Sequence, residues 1–138
     1  MLKQADLKEL AGMRLDEARL LVDRGYFSGG YYLAGYAIEL GLKAILARKF
    51  VANEIPDKDL VTRIYTHDLK SLVTQAGLEP FLKGRMAVDD RFSANWEIVR
   101  GWNEGSRYVI NTDENARTLL EAVSDQTSGV FPWIQAHW

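Results

Sequence analysis

From Ser28 to about Phe50 the chain is apolar on nearly every side of a helical wheel, and this segment dictates what the rest must do. At about 100° per residue, Leu33, Ala37, Leu40 and Ala44 share one side, while Ile38, Leu42 and Ile45 occupy roughly the opposite one. A helix apolar all round has to be covered all round. Its one polar notch holds Glu39 and Lys43, four residues apart and bordered by Tyr32 and Tyr36. Gly30, Ala34, Gly35, Ala37 and Gly41 are small enough to let another helix approach closely. The segment therefore reads as the central helix of a bundle, with an ion pair at its rim. A second chain is a further candidate cover, which makes a homodimer an expectation. The window 26–47 also contains Glu39, Lys43 and four glycines, so no membrane span is expected from it.

The remaining periodicity is helical too. Leu7, Leu10, Ala11, Leu15, Ala18, Leu21 and Val22 form one stripe, and Gly25 supplies a left-handed stop. Ser28 is expected to cap the second helix, with Phe27 and Tyr32 as a hydrophobic staple. Residues 53–59, with Pro56, read as a loop. Thr66 is the expected N-cap of a third helix, placing Asp68 in its first turn; Leu69, Leu72, Val73 and Ala76 carry it to Gly77. Residues 79–91, with Pro80 and Gly84, read as irregular or as one short turn. Phe92, Trp96, Val99 and Asn103 mark a fourth helix that Gly105 weakens near its end. Thr112 caps a fifth, with Ala116, Leu119, Leu120 and Val123 facing inward. The ending from Gly129 to Ile134 is too aromatic for a free tail. The expected fold is a single domain over 1–138, an all-α up-and-down bundle of four to five helices.

Composition narrows the chemistry. The 138 residues hold 17 basic and 19 acidic side chains, and neither half forms a basic block, which disfavours a nonspecific grip on duplex DNA. Without cysteine there is no disulfide, thiolate zinc site or cysteine nucleophile. Two histidines, His67 and His137, argue against a multi-histidine metal centre, and no cofactor is expected. Asp6 and Glu9 fall where a secretory signal would be apolar, so the expected location is cytoplasmic.

The polar group most suited to binding is Arg100, Glu104 and Arg107, at i, i+4 and i+7 along one edge of the fourth helix. Two guanidiniums beside aromatics suit a nucleotide phosphate or an RNA backbone, with a base stacked on Trp102 or Tyr108. The same spacing also allows Glu104 simply to pair with both arginines. His67 reads as a first-turn residue near water, or as a ligand contact beside Asp68.

Four stretches carry a family resemblance. The run from Gly25 to Ala44, including Ser28-Gly29-Gly30-Tyr31-Tyr32 and Glu39-Leu40-Gly41-Leu42-Lys43, resembles the helix signature of HEPN domains (higher eukaryotes and prokaryotes nucleotide-binding). Thr66-His67-Asp68-Leu69-Lys70-Ser71-Leu72 is similar to that family's helix start. The run from Trp102 to Tyr108, closing on Ser106-Arg107-Tyr108, is similar to its later helix end. The ending from Gly129 to Trp138 resembles that of small stand-alone bacterial members.

The resemblance implies an all-helical, usually dimeric bundle that works on nucleotides or RNA in defence or toxin–antitoxin systems, often beside a nucleotidyltransferase that can modify it. Family nucleases bring an Arg and then a His, with four to six residues between them, together across a dimer cleft. Here the positions that would pair with His67 hold Leu60, Val61 and Thr62, and those that would follow Arg100 hold Gly105, Ser106 and Arg107. Ribonuclease activity by that mechanism is therefore not expected. The expected function is binding, at Arg100, Glu104, Arg107, Tyr108, Trp102, His67, Glu39 and Lys43. An RNase with an atypical site, or a purely structural interaction module, are the alternatives. Tyr108 is a candidate for modification by such a transferase.

Overall fold

Leu7, Ala11, Leu15, Ala18 and Val22 recur at helical spacing, and in a computed structural model that describes residues 2–138 they form the buried stripe of α1 (Gln4–Asp23). Met1 lies outside the described residues. Gly25, at φ +85°, turns the chain after α1, a conformation that costs a residue with a Cβ far more than glycine. The short turn returns the chain as α2 (Phe27–Ala47), packed along the length of α1 as a helical hairpin. Six further helices follow: α3 (Lys58–Ile64), α4 (Leu69–Gln75), α5 (Glu79–Val88), α6 (Asp90–Arg100), α7 (Asp113–Ser124) and α8 (Val130–Gln135). A 3₁₀ turn, Glu104–Tyr108, lies between α6 and α7. Among the described residues there is no strand, and no helix is long and apolar enough to cross a membrane.

The fold is an all-helical bundle with α2 at its centre. Twelve of its residues are buried, against α1, α4, α7, α8 and the 3₁₀ turn. One chain is thus enough to cover the helix that is apolar all round, and its apolarity does not require a second copy. Gly35 shows how tightly: a Cβ there would run into the indole of Trp102, which packs over it with 2% of its surface exposed. The C-terminal segment is a wall of the core. Val130, Phe131, Trp133 and Ile134 of α8 are buried, Trp133 meets Phe92 at 5.4 Å between ring centroids, and Arg48 donates to the carbonyl of His137 at 2.8 Å.

Several boundaries differ from the sequence expectation, each for a local reason. The second helix begins at Phe27 without a side-chain cap and ends at Ala47, and Ser28 Oγ instead accepts the Asn111 N–H at 2.8 Å. Residues 79–91 hold a ten-residue helix, α5, because Pro80 sits in its first turn, where the ring's fixed φ starts a helix rather than breaking one. α4 is capped by Asp68, which accepts the Ser71 N–H at 2.9 Å; Thr66 Oγ1 accepts the Asp68 N–H, so His67 precedes the helix instead of opening it. α6 ends at Arg100. Arg100, Glu104 and Arg107 consequently do not share one helical edge, since the latter two stand on the 3₁₀ turn. Thr112 caps α7 as expected, accepting the Asn115 N–H at 3.1 Å.

Candidate functional site

Glu39 is the one charged residue in the buried core among the described residues, with 1% of its surface exposed. It lies in the polar notch of α2, and a carboxylate in that position needs partners to offset its lost hydration. Two are present. His67 Nδ1 stands 2.7 Å from Glu39 Oε1, and Lys43 Nζ, one helical turn along, stands 3.5 Å from Oε2. The imidazole contact dominates, because 3.5 Å is the outer edge of hydrogen bonding.

The loop before α4 brings His67 to that carboxylate. The other ring nitrogen, Nε2, faces outward and meets Glu104 Oε2 at 2.9 Å. His67 thus joins α2, the α3–α4 connection and the 3₁₀ turn. Glu104 has a second, looser neighbour in Arg107, whose Nη2 lies 4.0 Å away and whose guanidinium covers the Tyr108 ring at 5.4 Å. Arg100 pairs with Glu97 at 3.4 Å rather than with Glu104.

Beside this group lies a cleft of about 310 Å³ whose walls include His67, Asp68, Arg100, Trp102, Asn103 and Glu104. Trp102 packs its ring over Gly35, 5.9 Å from Tyr32 between ring centroids and 2% exposed, so its face is not free for a stacked base. Its Nε1 is buried and has no hydrogen-bond partner in the protein. Tyr108, by contrast, is 83% exposed. Tyr36 stacks on Tyr32 at 5.8 Å beside the Glu39 notch, and its hydroxyl titrates above its ordinary range, first through burial and then through the charge of Glu39. A larger cavity, about 470 Å³, lies elsewhere, between Leu7, Leu46, Phe50, Ile64 and Tyr65, and meets this group only at Lys43. Its walls carry little that does chemistry; the smaller cleft holds the arginine, the histidine and the carboxylates.

Of the sequence candidates, the structure gathers Glu39, Lys43, His67, Glu104 and Arg107 into one linked group, with Arg100 and Trp102 on the cleft wall. Tyr108 lies at the outer end. The Glu39–His67 contact has no counterpart in sequence, because the two residues are far apart and no helical period relates them. Asp68 had been visible as a polar residue, but its role as the cap that sets the loop was not. A carboxylate behind an imidazole fixes the ring's orientation, and here the outward nitrogen is engaged by Glu104 at the cleft, so a ligand that displaces Glu104 reaches it. Arg100 offers a phosphate-matching fork beside it. Comparison with protein-family models, curated proteins and solved structures finds no match to this chain.

Proposed function

We propose that the chain is a HEPN-like domain that binds the phosphate of a nucleotide or of RNA at the cleft between α4, α6 and the 3₁₀ turn. The observation that carries this reading is that Arg100, His67 and Asn103 border one cleft. A guanidinium with neighbouring N–H donors is what an anionic oxygen requires. Arg107 stands at the rim through Glu104 and recruits the ligand once that loose pair opens. The proposed setting is a cytoplasmic defence or toxin–antitoxin-like system, with the chain as a homodimer beside a nucleotidyltransferase. Tyr108, exposed and flanked by Arg107, is the proposed target of that transferase.

The experiment is a titration of nucleotides and short RNAs into the wild type, Arg100→Ala and Arg107→Ala, with melting curves beside it. Each substitution is expected to weaken binding by about 1–3 kcal/mol and to change stability by about 0–1 kcal/mol, since both side chains are at the surface. No binding to the wild type, or lowered melting temperature at unchanged affinity, refutes the reading.

A second reading has its own support. The buried Glu39 holds His67 Nδ1, and His67 and Arg100 line the same cleft although their spacing in sequence is wrong. This favours a metal-independent ribonuclease with an atypical site, built on His67, Arg100 and Arg107. RNA cleavage in the presence of a chelator, lost in His67→Ala, decides for it; no cleavage decides against.

A further inference from the structure

Glu104 Oε2 lies 2.9 Å from His67 Nε2 and 4.0 Å from Arg107 Nη2. The first distance is that of a charge-assisted hydrogen bond, so this carboxylate oxygen stands where an anionic ligand oxygen would meet the outward nitrogen of His67. Two other carboxylates hold groups of the same cleft. Glu97 pairs with Arg100 at 3.4 Å, and Glu39 holds His67 from behind at 2.7 Å. The three differ in what their departure would release. The Glu39 side chain is 2% exposed and enclosed by the core, so it stays. Glu97 stands three residues before its arginine on α6 and engages Arg100 alone. Glu104 is half-exposed and spans two groups, His67 and Arg107.

The backbone beneath Glu104 is fixed. Asn103 Oδ1 accepts the Gly105 N–H at 2.9 Å, the Asn103 carbonyl accepts the Ser106 N–H at 3.1 Å, and the buried Trp102 anchors the segment over Gly35. Glu104 can therefore leave by turning its side chain, without unwinding the turn. An ion pair with both partners half in water contributes little net free energy, so a stronger anion displaces it at small cost. Until it does, the carboxylate takes the contacts that the ligand needs, and its charge repels any phosphate that approaches.

We propose that Glu104 is a built-in competitor of the phosphate site. Without ligand, its carboxylate occupies the place of a phosphate oxygen at His67 and holds Arg107; a phosphate-bearing ligand replaces it, anion for anion, and gains both groups at once. The inference rests on the proposed phosphate site and reverses the role expected of Glu104 from the sequence, because the side chain then weakens binding instead of contributing to it.

The test uses inorganic pyrophosphate, titrated calorimetrically into the full chain as wild type, Glu104→Gln, Arg100→Ala, the double variant of these two, and Glu9→Gln. Circular dichroism checks the fold of each. Glu104→Gln keeps the length of the side chain and removes its charge. Its affinity is expected to exceed that of the wild type by about threefold to tenfold, the scale of a weak ion pair and a removed like charge. Adding Arg100→Ala is expected to lower the affinity again. Glu9→Gln makes the same change of net charge at an exposed position of α1 and is expected to show no gain. Unchanged or weaker binding in Glu104→Gln overturns the proposal, as does an equal gain in Glu9→Gln; in both cases wild-type binding that Arg100→Ala weakens leaves the phosphate site standing. Pyrophosphate bound by none of the proteins overturns the phosphate site and the competitor together.

Discussion

His67 is exposed over about half its side chain (47%), yet it holds a buried charge of the core, and its removal is felt at Glu39 rather than at the surface. Taking away one partner of a buried carboxylate costs more than the pair contributes, because the charge left behind keeps its desolvation penalty. Lys43 remains at 3.5 Å and softens that loss. His67→Ala is therefore expected to lower stability by about 1–3 kcal/mol, and Glu39→Gln, which removes the charge and keeps the shape, by less. Chemical denaturation of the two variants and their double mutant checks this. Additive effects would show that the 2.7 Å contact couples nothing.

Among the helices, capping separates what is legible locally from what is not. Thr112 followed by Asp113 and Glu114 announces a helix start, and the structure puts the cap there. Thr112→Ala is expected to cost about 0.5–2 kcal/mol, read from the shift in denaturation midpoint at unchanged slope. At Thr66 and Asp68 the sequence offers two capping side chains two positions apart. The helix begins after the second, while the ring of His67 between them is engaged by Glu39 and Glu104. Pro80 and Gly84 read as breakers and turn out to open and occupy α5. Conversely, Gly101 ends the helix that was expected to carry Arg100, Glu104 and Arg107 together. A proline or glycine gives a local preference whose sign depends on its position in the turn.

For the molecule as a whole, the two ends of the core answer to acid differently. Asp89 links the α5–α6 junction to the loop before α8: it accepts the Phe92 N–H, an Arg85 N–H and the Ser128 hydroxyl, and those bonds, the Phe92 one foremost, hold its carboxyl below its ordinary range. Its contribution to stability is present above the unfolded value of 3.8 and is lost as pH falls through the lower folded value. His137, beside Phe81 and Trp133, is held below 6.5 by burial and then by Arg48. Folding there favours the neutral ring, so stability is fullest above pH 6.5 and declines as pH drops below it. Relative to His137→Gln the wild type is expected to lose stability between neutral pH and the folded value, and relative to Asp89→Asn only below about pH 4. Denaturation midpoints across that range check both signs. The proposed dimer is also a whole-molecule matter. Tyr108, Val109 and Ile110 are 83%, 55% and 94% exposed in succession, and a stable pairing is expected to bury more than about 1,000 Å². Light scattering that gives a monomer at micromolar concentration withdraws it.

By itself, the sequence determined the helical class, the central place of the second helix, the left-handed turn at Gly25, the Thr112 cap and the packing of the aromatic end. All of these follow from spacing within a turn or two, where side chains about four residues apart necessarily share a face. Only the tertiary structure decided that Glu39 faces His67, that Trp102 fills the space over Gly35 instead of offering its ring to a base, and that Glu104 meets the outward nitrogen of His67. Those relations join segments far apart along the chain. They depend on how the helices cross and where the irregular backbone from Gly101 to Asn111 settles, which packing of the whole core governs and no local period encodes.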